Sequence, residues 1–384
     1  MKILYVADGR SPTARNWIGG FIERGHDVHL ATTFVCEALP GVVSMRHTPV
    51  AFSQMKKSGA GGAARKARAG IGALTRARQL LGPLTIPGAA PALTAHIEEV
   101  QPDIVHALRI PYEGMLAAAA LKDDARTKLI LSVWGNDFTL HAPATPLMAV
   151  HTRRALRRAD ALLADAARDL RLARQWGLAD DAPAAVFPGG GGIRPEVFYP
   201  PAAEPAAALI INPRGLRAYV RNDVFFAAAA RVHAARPDVR FACPAMQSEP
   251  QAEAWVAQHG LAGVVELLPK LSQAELAGWF RRALIVCSPS EHDGTPNTLL
   301  EALACGCFPV AGDIESLHEW ITPGENGLLL PPADAGALAA ALLHALDDSA
   351  LRARAREHNA RLVAERASYA AVMAAAEAFV TKLV

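Results

Sequence analysis

Asp293 and Glu301 are separated by seven residues in "DGTPNTLLEALACGCFPVA", where an apolar run, "ALIVCS", has just ended and a helical pattern begins. The two carboxylates therefore flank a helix start. Thr295 suits an N-cap and Pro296 a first helical residue, which leaves the amides of Asn297, Thr298 and Leu299 directed out of the helix end. Such amides, at the positive end of the helix dipole, seat a phosphate or another anion. Glu301, about one turn further on, could accept two hydrogen bonds from a vicinal diol of the same ligand. Asp293, ahead of the helix, could hold hydroxyls beyond the phosphates. Together these demands fit a sugar–diphosphate–nucleoside. A plainer reading also stands, in which Glu301 steadies its own helix and Asp293 is a turn residue.

The elements that must position these groups are legible as alternation. "KILYVA", a helical pattern through "ARNWIGGFIERG" and "DVHLAT" open the chain as a βαβ unit. "DIVHAL", "KLILSV", "ADALLA" and "AAVF" continue it between Ala- and Leu-rich helical stretches, as a parallel sheet covered on both faces requires. The rhythm breaks at residues 187–205, "FPGGGGIRPEVFYPPAAEP", where four consecutive Gly and five Pro can continue neither a helix nor a central strand. A second series follows through "ALIIN", "VRFAC", "VVELL", "LIVCS", "CFPVA" and "GLLL". The spacing predicts an N-terminal Rossmann-like domain over 1–190 and a C-terminal one over 200–365. A last helix over about 366–384 is expected to pack back on the first domain. In doubly wound folds ligands bind at the carboxyl ends of the strands, so the loop after "ALIVCS" is placed to meet one. His106, near the end of "DIVHAL", is either a satisfied core histidine or an acceptor-side group at a strand end. Gly189 to Gly192 read as an interdomain hinge or a close backbone approach, and Gly19 and Gly20 lack dinucleotide-binding spacing.

Composition excludes several classes. A formal net charge of +2 gives no general case for nucleic acid, and no aromatic residues interleave with the basic stretch described next. Between Ala51 and Ile97 there is no acid, yet Lys56, Lys57, Arg65, Lys66, Arg68, Arg76 and Arg78 occur. That stretch is either a solvated basic face or, with Ile71, Leu74, Leu80 and Leu81, a segment that settles on an anionic membrane surface. The five cysteines are odd in number and mostly in apolar surroundings, which predicts reduced thiols and a cytoplasmic protein. Cys305 and Cys307 enclose a single Gly with no second Cys or His pair nearby, so no metal site is expected.

The segment "DGTPNTLLEALACGCFPVA" closely resembles the acid, seven residues, Glu signature of the retaining family-four glycosyltransferases, the glycosyl transferases group 1, with Asp where Glu is commoner. "ERGHDVHLAT", "QPDIVHA", "PGGGGIRPEVFYP" and "ENGLLLPPAD" resemble further segments of that family, so the likeness spans nearly the whole chain. The resemblance implies a GT-B fold, two tandem Rossmann-like doubly wound domains with a cleft between them, the acceptor held mainly by the first and the nucleotide-sugar by the second. It makes Glu301 the ribose ligand and Asp293 the sugar-hydroxyl ligand, with Gly294, Thr295, Pro296, Asn297 and Thr298 around the diphosphate. "NPRGLRAYVRNDVFF" resembles the segment that supplies an Arg and a Lys to the diphosphate. Arg214 matches the Arg, and with no Lys present Arg217 or Arg221 must stand in. "SVWGNDF" has Trp134 where many relatives have His, and the resemblance puts Asn136 and Asp137 in the cleft, with Asp137 near the chemistry. Trp134 reads as acceptor-side or as an ordinary core aromatic.

The activity expected is transfer of a hexose-type sugar from a nucleoside diphosphate, UDP or GDP, to a glycan, lipid-linked or small-molecule acceptor, with retention and without metal or cofactor. Catalysis would rest on Arg214, a second Arg and the helix start, which meet charge growing on the departing diphosphate. A cytoplasmic protein, peripheral on the inner face of a membrane if the basic stretch binds lipid, is the matching localisation. Two rivals stand: a GT-B-type nucleotide-sugar epimerase, and a nucleotide-sugar-binding protein without turnover, suggested by the absent Lys and the replaced His.

Overall fold

The computed structural model describes residues 1–53, 75–122 and 126–384. The chain divides into two compact units, Met1–Gly192 with Ala370–Val384, and Ile193–Tyr369. Each is a parallel sheet covered by helices, as near-continuous runs of Val, Ile, Leu and Ala at the strand positions demand.

In the first unit seven strands lie in the order β3-β2-β1-β4-β5-β6-β7. They are β1 (Lys2–Ala7), β2 (Asp27–Thr32), β3 (Ser44–His47), β4 (Ile104–Leu108), β5 (Lys128–Val133), β6 (Ala161–Ala164) and β7 (Ala184–Val186). The order reverses between β1 and β4, whose register runs Ile3 to Ile104 through Val6 to Ala107. The Ile86–Val100 helix packs its buried Ile86, Ala90 and Leu93 into the core beneath this sheet, with Val105, Leu129 and Leu131. Its Pro91 removes an internal amide donor without ending the helix. The terminal helix, Tyr369–Thr381, belongs to this unit from Ala370 onward: Glu377 accepts from His26 at 2.7 Å and pairs with Arg24 at 3.4 Å, and Phe379 meets Phe187 edge-on.

In the second unit six strands lie in the order β10-β9-β8-β11-β12-β13: β8 (Leu209–Ile211), β9 (Arg240–Cys243), β10 (Val265–Leu267), β11 (Ile285–Ser288), β12 (Phe308–Gly312) and β13 (Leu328–Leu330). Here the order reverses between β8 and β11, paired Ile210 to Ile285 and Ile211 to Val286. Phe225, Phe226, Phe241 and Phe308 fill one side of the sheet, and Phe280, Leu300, Leu303 and Trp320 the other. The carboxyl ends of the strands at these two order reversals are where this architecture takes ligands.

Among the described residues no helix is long and apolar enough to cross a membrane. Of the basic stretch at 51–97, residues 54–74 lie outside the described residues, which removes Lys56, Lys57, Arg65, Lys66, Arg68, Ile71 and Leu74 from structural account. The Leu80, Leu81 and Leu84 that follow are exposed.

Candidate functional site

The loops after β8 and β11 are bound to each other at the switch point of the second unit. Val220 and Ser290 form an antiparallel bridge, the Arg221 amide donates to Pro289 O at 2.9 Å and the Glu291 amide to Tyr219 O at 2.9 Å. Gly312 lets the β11 loop pass close to β12, since a Cβ there would stand 2.3 Å from Ser290 O. The β8 loop is folded by two buried amides. Asn212 accepts from the Arg214 amide at 3.2 Å and donates to Asn222 at 2.9 Å, and Asn222 donates to Gly215 O at 3.0 Å. Gly215 has φ +62, a conformation that favours glycine.

This scaffold gathers four of the residues singled out in the sequence. Arg214 is buried, donates one arm to Asp293 and the other to Thr298 Oγ1 at 3.1 Å, and its Nε is buried without a hydrogen-bond partner. Asp293 is buried too, its own carbonyl accepting from Ser316 Oγ at 2.8 Å. Glu301 projects into the same environment, only 7% exposed, and no hydrogen bond reaches its carboxyl group among the described residues. Burial pushes its pKa up to about 7, against the opposing pull of the Arg214 charge. A carboxylate that is buried and unpartnered beside a guanidinium is costly to hold, and such groups cluster where ligands complete the pairing.

The helix begins one residue later than the sequence suggests. It spans Asn297–Ala304, with Pro296 extended at the N-cap position and no side-chain cap. Thr295 is therefore not the cap: its hydroxyl accepts from the indole N–H of Trp320 at 2.9 Å, which fixes the loop from the far side. The amides of Asn297 and Thr298 open the helix, and Gly294 and Pro296 are buried beneath them. Glu301 is the fifth helical residue and lies beyond the first turn, so the helix-capping reading of it does not hold.

Other expected site residues lie elsewhere. Arg221 is not brought to Arg214. Its guanidinium is taken by Asp223 at 2.7 Å and Glu291 at 3.0 Å, an exposed cluster that also explains where Glu291 points. Arg217 is exposed, its Nε donating to Arg214 O at 3.0 Å.

In the first unit, His106 is a core residue and not an acceptor-side group. It is buried within β4, packed against a tilted Tyr5 ring and edge-on to Trp17, and held to Ser132 Oγ at 2.8 Å, and burial lowers its pKa to about 3. Asp137 is engaged inside the protein: fully buried, it takes Arg109 Nε at 3.1 Å and NH2 at 2.7 Å on one oxygen and the Ile110 amide at 3.0 Å on the other. Asn136 accepts from the same guanidinium at 2.9 Å. Both residues thus position Arg109, which the sequence reading missed; only its place directly after β4 signals it. Trp134 is half-buried in the Gly135 turn, which Asp165 and Arg168 hold at 3.2 and 2.8 Å. No group of three or more metal-binding side chains converges among the described residues.

Residues 8–190 match the Glycosyl transferase 4-like domain, and residues 215–348 match Glycosyl transferases group 1. A D-inositol 3-phosphate glycosyltransferase of Thermobispora bispora is 35% identical over 158 residues, 36% of each chain. A phosphatidyl-myo-inositol mannosyltransferase of Mycolicibacterium smegmatis is 36% identical over 96 residues, 24% of each. The aligned segments thus span well under half the length of these curated relatives. Two solved structures share the fold over its full length. They are sucrose-phosphate synthase from Thermosynechococcus elongatus (TM-score 0.75, 17% identity, 100% of this chain and 99% of that one) and Anabaena HepE with UDP-glucose (TM-score 0.74, 15% identity, 100% and 99%). With its two parallel-sheet units in GT-B form and the two domain matches in sequence order, the chain belongs to the group 1 glycosyl transferases.

Proposed function

We propose that the protein transfers a hexose-type sugar from a nucleoside-diphosphate sugar to an acceptor hydroxyl, with retention of configuration. One observation carries the reading: Arg214 is seated between Asp293 and Thr298 at a helix start, with the unpartnered carboxyl of Glu301 beside it. Arg214 and the amides of Asn297 and Thr298 meet the diphosphate, whose charge grows as the glycosidic bond breaks. Donors fixed before that moment favour the transition state over the bound substrate. Asp293 holds Arg214 in place and addresses the sugar hydroxyls, while Glu301 accepts from the ribose diol. With Arg221 engaged at the surface, Arg217 is the nearer second cation.

UDP is the preferred nucleotide, supported by the likeness in fold to a protein solved with UDP-glucose. The family matches are to transferases, which argues against the epimerase alternative. Retention follows the family resemblance, and metal independence follows from guanidinium and helix dipole acting where a metal would. Attachment to an anionic membrane surface is part of the same proposal, supported by Arg76 and the exposed Leu80, Leu81 and Leu84. The test is calorimetric titration with UDP and GDP, followed by UDP release from UDP-sugars with candidate acceptors. Wild-type protein should bind UDP and Arg214→Ala should bind it weakly. No nucleotide binding, or an Arg214→Ala protein that binds and turns over normally, sinks the proposal, and binding without transfer would instead leave a nucleotide-sugar-binding protein.

A further inference from the structure

The switch point of the first unit collects positive charge of its own. Arg10 follows β1, Phe34 follows β2, and Arg109 follows β4, so all three stand at carboxyl ends of neighbouring strands. The guanidinium of Arg10 lies 3.5 Å from the Phe34 ring centre, and that of Arg78 lies 5.2 Å from the same ring and 4.6 Å from Tyr112. Two cations gathered on one ring, within about 9 Å of each other, repel unless something negative joins them.

Protein carboxylates compensate two of the three cations and leave the third. Asp8 pairs with Arg10 and Asp137 with Arg109, but Arg78 has no carboxylate partner among the described residues, and its Nε is buried without a hydrogen bond. Glu113 is the acid beneath the cluster. It is 5% exposed, takes a hydrogen bond from Thr33 at 2.8 Å, and burial raises its pKa despite Arg109 and Arg78 nearby.

The backbone is bent to hold this arrangement. Arg109 has φ 120 and Tyr112 φ 71, conformations that non-glycine residues rarely adopt, and strain of this kind persists where the surroundings enforce it. Tyr112 in turn donates from its hydroxyl to Arg78 O at 2.9 Å, tying Arg78 to the β4 loop, and its ring leaves no room for a Cβ on Gly82, which would stand 2.6 Å away.

We infer that this cluster of the first unit seats a phosphomonoester carried by the acceptor, with Arg78 as its main ligand and Arg10 and Arg109 beside it. A tetrahedral dianion can be approached by separate guanidinium groups from several sides, whereas a carboxylate is satisfied by one fork. The inference deepens the transfer reading by naming the acceptor's chemical class, and so rests on it.

The experiment titrates inorganic phosphate and sn-glycerol 3-phosphate into UDP-saturated wild type, Arg78→Gln, Arg10→Gln and Arg214→Gln, with glycerol as the neutral control. UDP saturation occupies the diphosphate seat. Wild type should bind both phosphates saturably and glycerol not at all. Arg78→Gln should weaken phosphate binding about tenfold and Arg10→Gln less, both with UDP affinity and melting temperature kept. Arg214→Gln should do the reverse. Vesicles containing phosphatidic acid, against phosphatidylcholine alone, distinguish the source: sedimentation that depends on Arg78 assigns a lipid-borne phosphate, and soluble binding without it assigns a free phosphorylated acceptor. Phosphate binding that is absent, or indifferent to both Arg78→Gln and Arg10→Gln, overturns the inference. Loss of UDP affinity confined to Arg78→Gln, or a UDP affinity untouched by Arg214→Gln, counts against the donor site instead and leaves the phosphate titrations readable.

Discussion

Glu301→Gln should strengthen the empty protein and weaken its grip on donor, with both effects set by pH. In the folded state the Glu301 carboxyl titrates at about 7, against an ordinary value of 4.5, because burial disfavours its charge. The folded state therefore holds this proton more tightly than the unfolded chain, and stability falls as pH rises from about 4.5 to about 7. A displacement of that size corresponds to on the order of 3 kcal/mol above pH 7. Gln carries the same shape without the charge. The variant minus wild-type difference in unfolding free energy should be small at about pH 5 and approach that magnitude at about pH 8. Donor affinity should move the other way. A diol is best received by the ionised carboxylate, so UDP-glucose, whose diphosphate does not titrate in this range, should bind wild type about tenfold more weakly at pH 6 than at pH 8. Glu301→Gln should give a flat profile at the lower affinity. Chemical unfolding across pH and calorimetry with UDP-glucose supply both readings. A stability difference that is independent of pH, or a variant less stable than wild type at pH 8, would refute the reasoning.

Other outcomes follow from named contacts. Asp293→Asn should keep UDP affinity while slowing transfer by roughly ten- to a hundredfold, the worth of one hydrogen bond to a charged group, as read by UDP release; Glu291→Gln, on the surface with Arg221, should be nearly silent. The opposite pattern would shift the assignment by two residues. Asp137→Ala leaves the Ile110 amide and Arg109 without their buried acceptor and should cost about 1–3 kcal/mol in denaturant unfolding, with loss of phosphate binding but not of UDP binding. The His106 ring should show no titration by NMR between pH 5 and 8. Because its folded pKa is lowered to about 3, its contribution to stability is complete above about 6.5 and is lost as pH falls toward 3. Trp320→Phe removes the donor to Thr295 and should destabilise the second unit by about 1 kcal/mol while weakening UDP binding.

The doubly wound architecture was legible because strand and helix periods differ and parallel strands are apolar throughout, as in "KLILSV" and "LIVCS". The nearness of Arg214 to Asp293 and Thr298 was suggested by motif, since nothing in the spacing of residues 214 and 293 joins them; the fold does so by ending β8 and β11 side by side. Thr295 misled because a Thr before Pro reads as a cap, while a tertiary partner, Trp320, had claimed its hydroxyl. Arg221 misled for a similar reason, as the carboxylates that occupy it lie two residues away and across the loop at Glu291. Arg10 and Arg78 were invisible as a pair because only a tertiary contact, the Phe34 ring, brings together two residues so far apart in the sequence. His106 stood as an open choice at a strand end, and burial under Tyr5 and Trp17 decided it.

The backbone bridge between Val220 and Ser290 bears on how new donor preferences can be built. The β8 and β11 loops are one object, since a shift of either drags the other through the Arg221 and Glu291 amides. Grafting a single loop from another transferase would leave its amides facing a mismatched partner, so the exchangeable cassette is the pair, residues 212–222 together with 288–296. Gly312 sets the cassette's floor, because any side chain there collides with Ser290 O; a donor loop of different path must bring its own residue at that position.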